Sequence, residues 1–360
     1  KLDAYLNARD FYTARRITLN EDAHVSLDFY QGILQALKES NDSFKIEMSV
    51  YDNQGSDSVT KEILKREEVK KLNIIIGSMS SSSAKLVADF CKQNKIINLQ
   101  PFTPSKSLTS SNPYHLKLAP TIDAHVEAMF NSIVDSFSGS NVIIYTPDVE
   151  KSFSVAREFD TLFTRYNRTT DTKFKVTMLK TKAIMLNGKE GISKEQLKEG
   201  KTNILIITSF DESFINGALR VLFDVRDKFN VVVYGMPTWL KGDILRLDYV
   251  NEFATHLTDQ YFIDSTKDAT QHFIQNYKAD FEVEPARYAF LGYDLMNFAL
   301  QSLKNYGLEF MDFIPTERYS GTAYKFDIVK SMKNPATINY LENRHVHVFK
   351  VQDYQLKEVW

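Results

Sequence analysis

The 360-residue chain holds one cysteine, Cys91, so a disulfide framework is excluded and the thiol, set in the helical pattern Ala84, Val87, Ala88, Cys91, reads as a small buried hydrophobe. A single cysteine fits either redox compartment. The longest apolar runs are strand-length, far short of the roughly 20 residues a membrane span needs. Charge of one sign is also missing: 44 basic and 46 acidic residues give a net charge of -2, well mixed along the chain, and no basic stripe marks a nucleic-acid surface. There is no Gly-x-Ser-x-Gly elbow, Gly-x-Gly-x-x-Gly fingerprint or His-Glu-x-x-His pair, and no strand-end loop sets a nucleophile beside its base. These absences argue against an enzyme and imply no cofactor and no metal. The chain opens at Lys1 without Met or an apolar leader, which suggests a mature or trimmed product.

What is present is a rhythm. Five β-branched runs, at 72–76, 95–99, 141–145, 203–208 and 230–234, each end in a small or polar loop. Helical periodicity alternates with them, which is the signature of a parallel α/β sheet. Helices are expected at about 57–70, 81–93, 122–137, 152–165 and 212–228, with two more inside 266–306. A helix containing Phe29, Ile33, Leu34 and Leu37 carries Gly32 in its interior, which predicts a close helix-to-sheet contact. Alternation over Phe44, Ile46, Met48 and Val50 predicts a half-exposed edge strand, and Val346, Val348 and Val351 a late one. Residues 7–21 read as a polar loop. With 43% hydrophobic and 12% aromatic residues the chain can fill two cores, and Ala119-Pro120 interrupts the pattern between them. The expected division is 1–118 plus 262–308 for one lobe and 121–255 for the other, with 309–360 as crossover and C-terminal strand segment.

In parallel sheets a ligand lies beyond the carboxyl ends of the strands, so the loops there supply the candidates. The serine run that includes Ser78, Ser80 and Ser81 opens a helix directly after a strand. First-turn N–H groups without intrahelical acceptors favour a carboxylate or phosphate at such a place, although serines are also ordinary helix caps. No lysine follows in the pattern of a nucleotide-binding loop. Pro101, Phe102 and Thr103 end the next strand, close enough to join the same site. Asp148, Phe210, Tyr234 and Trp239 come from the second set of strand ends, where aromatics with one polar handle can wall a pocket or simply pack. His345 and His347 have a metal-compatible spacing but no third ligand nearby. Asn41-Asp42-Ser43 and Asn167-Arg168-Thr169 match the glycosylation sequon, a pattern common by chance.

Four motifs in register then carry a resemblance over most of the chain: Ile74-Ile75-Ile76-Gly77-Ser78-Met79-Ser80-Ser81, Lys95 through Gln100-Pro101-Phe102-Thr103, Asn112-Pro113-Tyr114 through Pro120-Thr121, and Tyr288-Ala289-Phe290-Leu291-Gly292-Tyr293-Asp294. Together they resemble the type I periplasmic binding proteins of the leucine/isoleucine/valine class. Val233 through Leu240 and Glu342 through Phe349 look like a branch sometimes found behind LysM modules. The resemblance implies two Rossmann-like lobes, three crossovers and a central cleft that closes on a small ligand. It implies a carboxylate held by the loops at Ser78 to Ser81 and Pro101 to Thr103, and an amine held by aromatic and acidic groups of the second lobe. Gly235-Met236-Pro237 stands where the acid is expected, leaving Asp148 or Asp211 for that role. The family's apolar first strand is reduced here to Leu2, Ala4 and Leu6. The expected function is capture of a small polar, carboxylate-bearing molecule such as an amino acid, in the periplasm or cell envelope, with a membrane transporter or envelope partner. The rival is an envelope scaffold module that keeps the fold without tight small-molecule binding.

Overall fold

The structure, a computed structural model, describes residues 21–40, 44–181, 195–241, 246–316 and 318–360. The short first strand, the polar loop up to residue 20 and the sequon at Asn41 lie outside the described residues. The principal elements run, in chain order, α1 (Glu21–Glu39), α2 (Asp57–Leu64), β1 (Ile74–Ile76), α3 (Ser81–Asn94), β2 (Ile97–Gln100), β3 (His115–Lys117), α4 (Ile122–Ser136), β4 (Asn141–Pro147), α5 (Glu150–Thr169), β5 (Lys175–Thr181), β6 (Asn203–Ile207), α6 (Glu212–Phe223), β7 (Val231–Tyr234), α7 (Leu247–Glu252), β8 (His256–Asp259), α8 (Asp268–Phe281), α9 (Arg287–Tyr306), β9 (Arg318–Ser320), β10 (Lys325–Asn334), β11 (Thr337–Asn343), β12 (His347–Gln352) and β13 (Gln355–Glu358).

These elements form two compact units. Unit 1 takes the chain up to Pro120 and returns for Tyr261–His345; unit 2 takes Thr121–Gln260 and Val346–Trp360. The chain therefore passes between units at three places, after Pro120, Gln260 and His345. Each unit has its own sheet, ordered β1-β2-β3-β11-β10-β9 in unit 1 and β13-β12-β8-β7-β6-β4-β5 in unit 2. In unit 1, β1, β2, β3 and β11 are parallel while β10 runs antiparallel to β11 and β9. In unit 2, β5, β4, β6, β7 and β8 are parallel and β12 antiparallel to β8 and β13. Four of the five runs are the buried centres of these ladders; the fifth, β1, is a half-buried edge. Crossover helices cover their faces, which is why they read as continuous apolar stretches.

Three expectations fail locally. Residues 44–47 alternate as expected, with Phe44 and Ile46 packed on the unit 1 core and Lys45 and Glu47 exposed, but Met48 and Val50 are exposed and the segment joins no ladder among the described residues; alternation records one-sided burial, whereas a strand also needs a hydrogen-bonded neighbour. Gly32 does not meet a sheet. It meets Gly292 of α9 across a helix crossing so close that a Cβ on Gly32 would lie 2.0 Å from the Ala289 carbonyl oxygen, and one on Gly292 2.0 Å from that of Phe29. The tail beyond residue 309 holds β9, β10 and β11 in unit 1 and β12 and β13 in unit 2, more strands than the single late one read from the valines. Only Phe326 and Ile328 of β10 are buried, and its outer half is polar and exposed, so its apolar signal is short.

Candidate functional site

In unit 1 the strand ends bring Ser78, Ser80, Pro101, Phe102 and Thr103 into one neighbourhood. Ser80 has extended backbone and its Oγ accepts from the Ser83 N–H at 3.3 Å, which satisfies one of the orphan donors of α3 in the ordinary manner of a helix cap. Ser81 is exposed at the first helical position. Ser82 and Ser83, however, donate their hydroxyls to the Asp57 carboxylate at 2.9 and 2.7 Å, and these bonds hold that carboxyl below its usual range. Part of the serine run is thus committed to an internal acid, and a ligand anion at α3 is left with Ser78, Ser81 and the backbone N–H groups.

Gln100, absent from the sequence candidates, joins the two loops. Its Nε2 donates to the Ser78 carbonyl at 3.0 Å and its Oε1 accepts from the Phe102 N–H at 2.9 Å. The signal that could have found it is the polar alternation Asn98, Gln100 inside an otherwise apolar strand. Phe102 is half-buried against Phe29 of α1 and Tyr288 of α9, while Thr103 is only 3% exposed. Ser78 Oγ accepts from Asn53 Nδ2 at 3.1 Å, and the Ser26 hydroxyl donates to Met79 Sδ at 3.0 Å, so α1 and the Asn53 turn brace the serine loop from both sides.

The face of this sheet that carries Gln100 is polar and buried. Register pairs Asn98 with His115, Gln100 with Lys117, and Lys117 with Glu342. His115 Nδ1 lies 2.7 Å from Asn98 Oδ1, and burial drops the imidazole to about 3. The Lys117 amine sits 3.9 Å from the Tyr340 ring centre and 3.7 Å from Glu342. Burial outweighs the attraction of Glu342 and brings the amine down to about 8 from 10.5. Between those two pH values the unfolded chain binds the extra proton, so this lysine makes stability rise from about pH 8 to about pH 10.5. Lys117→Met is expected to flatten that rise, while Arg344, 3.3 Å from Glu342, still pairs with the carboxylate that loses its lysine. Urea midpoints of both proteins at pH 7, 8.5 and 10 measure it, and a parallel rise in both would assign the effect elsewhere.

Unit 2 treats its candidates differently. Asp148 is exposed and paired with Lys180 at 2.6 Å, and Phe210 is half-buried beneath the Lys151 amine at 4.1 Å. Asp211 caps α6, accepting from the Phe214 N–H at 2.9 Å. Tyr234 and Trp239, expected in a ligand wall, both lie buried within unit 2. Tyr234 is fully buried, stacked on His256 at 4.5 Å, with Ser132 Oγ 3.1 Å from its hydroxyl. Trp239 is 5% exposed, packs on Gly235 and donates its indole N–H to the Ser209 carbonyl at 3.2 Å. Both polar handles are met inside the unit, so these rings build the core.

The lesser motifs resolve simply. Cys91 is fully buried and its thiol is pushed up to about 12, which makes it inert. His347 pairs with Glu358, and among the described residues no three acidic, His or Cys side chains gather as a metal site. The Asn167 amide is bonded on both sides to the Phe174 backbone. A surface pocket of about 560 Å3 lies between α2 and α3 against Leu64, Leu86 and Phe90. No described helix is long and apolar enough to cross a membrane.

Comparison with known proteins places this geometry. The model of the periplasmic binding protein family matches residues 22–170. No curated protein matches the sequence. Among solved structures, a branched-chain amino acid ABC transporter protein of Rhodospirillum rubrum is 14% identical with a TM-score of 0.67, over 94% of this chain and 96% of that one. A periplasmic ligand-binding protein of a branched-chain amino acid ABC transporter from Burkholderia xenovorans is 11% identical with a TM-score of 0.62, covering 95% and 92%. The substrate-binding protein LivJ of Streptococcus pneumoniae, solved with isoleucine, is 11% identical with a TM-score of 0.52, covering 94% and 95%. The family, the Burkholderia xenovorans protein and LivJ are each described as binding proteins. Over the 94–95% of its length that these structures cover, the chain thus has the type I periplasmic binding protein fold, and residues 22–170 match the periplasmic binding protein family in sequence as well.

Proposed function

We propose that the protein is a non-catalytic solute-binding protein that takes a small polar ligand by its carboxylate on the strand-end loops of unit 1. The observation that carries this reading is the Gln100 clamp. A buried side chain spends both its donor and its acceptor holding the Ser78 and Phe102 loops together, and so fixes the loops that follow β1 and β2, at whose edge Ser81 is exposed. Preorganised donors of this kind bind an anion without first having to be ordered. The neighbours that bind branched-chain amino acids support an amino acid or similar carboxylate, and the family supports a periplasmic or envelope location with a membrane transporter as partner. In unit 2, Asp148 and Phe210 are the candidates that keep accessible surface.

Replacing Ser81 and Thr103 together by Ala is expected to weaken carboxylate binding by about 1–3 kcal/mol through lost bonds to a charged group, with little change in folding. Native mass spectrometry of freshly purified protein identifies any co-purified ligand, and calorimetry on the double variant then reads the loss. Unchanged affinity would place the site elsewhere. The scaffold reading keeps one observation in its favour: Asp57 already takes two of the serine hydroxyls. It predicts that no carboxylate binds at all.

A further inference from the structure

Phe102 stands at the end of β2 where a purely polar ligand would need no aromatic ring. Its centroid is 4.9 Å from that of Phe29 at 66° and 6.3 Å from that of Tyr288 at 38°. Phe29 is 9% exposed, whereas Phe102 and Tyr288 both keep part of their surface. The three rings come from α1, the β2 loop and the start of α9, and the backbone at or beside each is held by further contacts. Phe29 lies at the Gly32–Gly292 crossing, where its carbonyl oxygen is the atom nearest the Gly292 Cβ position. Gln100 holds the Phe102 N–H. Arg287, one residue before Tyr288, lies 4.0 Å over the Tyr261 ring and donates from Nε to the Tyr324 hydroxyl at 3.4 Å. Ser26, one helical turn before Phe29, bonds Met79 in the serine loop. The rings and the serine loop therefore adjoin the same stretch of α1.

We propose that unit 1 seats a planar ring of its ligand on Phe102, flanked by Tyr288, so that the preferred ligand is a ring-bearing carboxylate and not a branched aliphatic amino acid. This rests on the carboxylate reading above. A ring gains from edge and offset contacts with the quadrupoles of Phe102 and Tyr288; an aliphatic chain gains only the buried area. Phe102 and Tyr288 already pack with Phe29 on the unit 1 core, so the shelf is formed before a ligand arrives.

Calorimetric titration with phenylacetate, L-phenylalanine, L-leucine and acetate tests the assignment on the wild type, Phe102→Ala, Phe102→Leu and the Ser81→Ala/Thr103→Ala double variant, with circular dichroism as the check on folding. The expected result is that the ring-bearing probes bind at least tenfold more tightly than leucine or acetate. Phe102→Ala should lose that preference, Phe102→Leu should keep only part of it, and the double variant should weaken every probe alike. Leucine binding more tightly than phenylalanine, or a ring preference unchanged in both Phe102 variants, overturns the shelf and leaves the carboxylate reading standing. Absence of binding by all four probes overturns both.

Discussion

Gly292→Ala is expected to cost about 3 kcal/mol or more, because the added methyl would sit 2.0 Å from the Phe29 carbonyl oxygen, and the obstacle is backbone and cannot rotate away. Overpacking in a relaxed core costs roughly 1–3 kcal/mol; here α1 and α9 must separate as whole helices. Gly32→Ala meets the Ala289 carbonyl at the same distance and should behave alike. The measurement can be made unit by unit, since the chain has two tryptophans and both, Trp239 and Trp360, belong to unit 2. In urea the transition seen by far-ultraviolet circular dichroism should move to lower denaturant, while the tryptophan fluorescence transition moves less. An unchanged circular dichroism midpoint would mean that the helices do not cross at these glycines.

Asp294→Ala is expected to be similarly damaging, by about 3–6 kcal/mol. The carboxylate is completely buried on α9. It accepts from the Thr322 N–H and hydroxyl at 2.7 and 2.9 Å on one oxygen, and from the Ala323 and Tyr324 N–H groups at 2.9 and 2.8 Å on the other. Removing it leaves three buried N–H groups without an acceptor, at roughly 1–3 kcal/mol each. Those residues also set the entry to unit 1 after Gln260, since Ala323 accepts from Phe262 and Tyr324 bridges Tyr261. Asp294→Asn keeps one acceptor oxygen and should fall between the two. Burial pushes the carboxyl up to about 6 against the pull of its four donors. A folded value above the unfolded 3.8 makes the native state bind the extra proton between them, so this group lowers stability as pH rises from about 4 to about 6, and the Ala variant should lack that slope. A loss below about 1 kcal/mol in Asp294→Ala would show the nest to be dispensable.

Of the candidate site, the loops were legible and the partners were not. Serines after β1 and Pro101-Phe102-Thr103 after β2 stand out because helix starts and proline-fixed turns follow local rules. That Asp57 would take Ser82 and Ser83, or that Gln100 would span both loops, depends on which helix and which strand end lie alongside, and residues 25 positions apart carry no local record of it. Tyr234 and Trp239 show the same limit: an aromatic ring after a strand looks alike in the sequence whether its hydroxyl or indole N–H meets a ligand or, as here, Ser132 and Ser209.

The sequence by itself determined the alternation of buried strands with covering helices, and hence two parallel α/β units, because apolar periodicity and helix caps are encoded within a few residues of the element they specify. It also excluded disulfides and carried the motifs of the family. Only the tertiary structure decided that residues 318–343 complete the sheet of unit 1 and 347–358 that of unit 2, that Gly32 answers Gly292, and that a buried polar row runs from Asn98 to Glu342. Each of these is a pairing of segments far apart in the chain, and a pairing exists only once both partners have been brought to the same place.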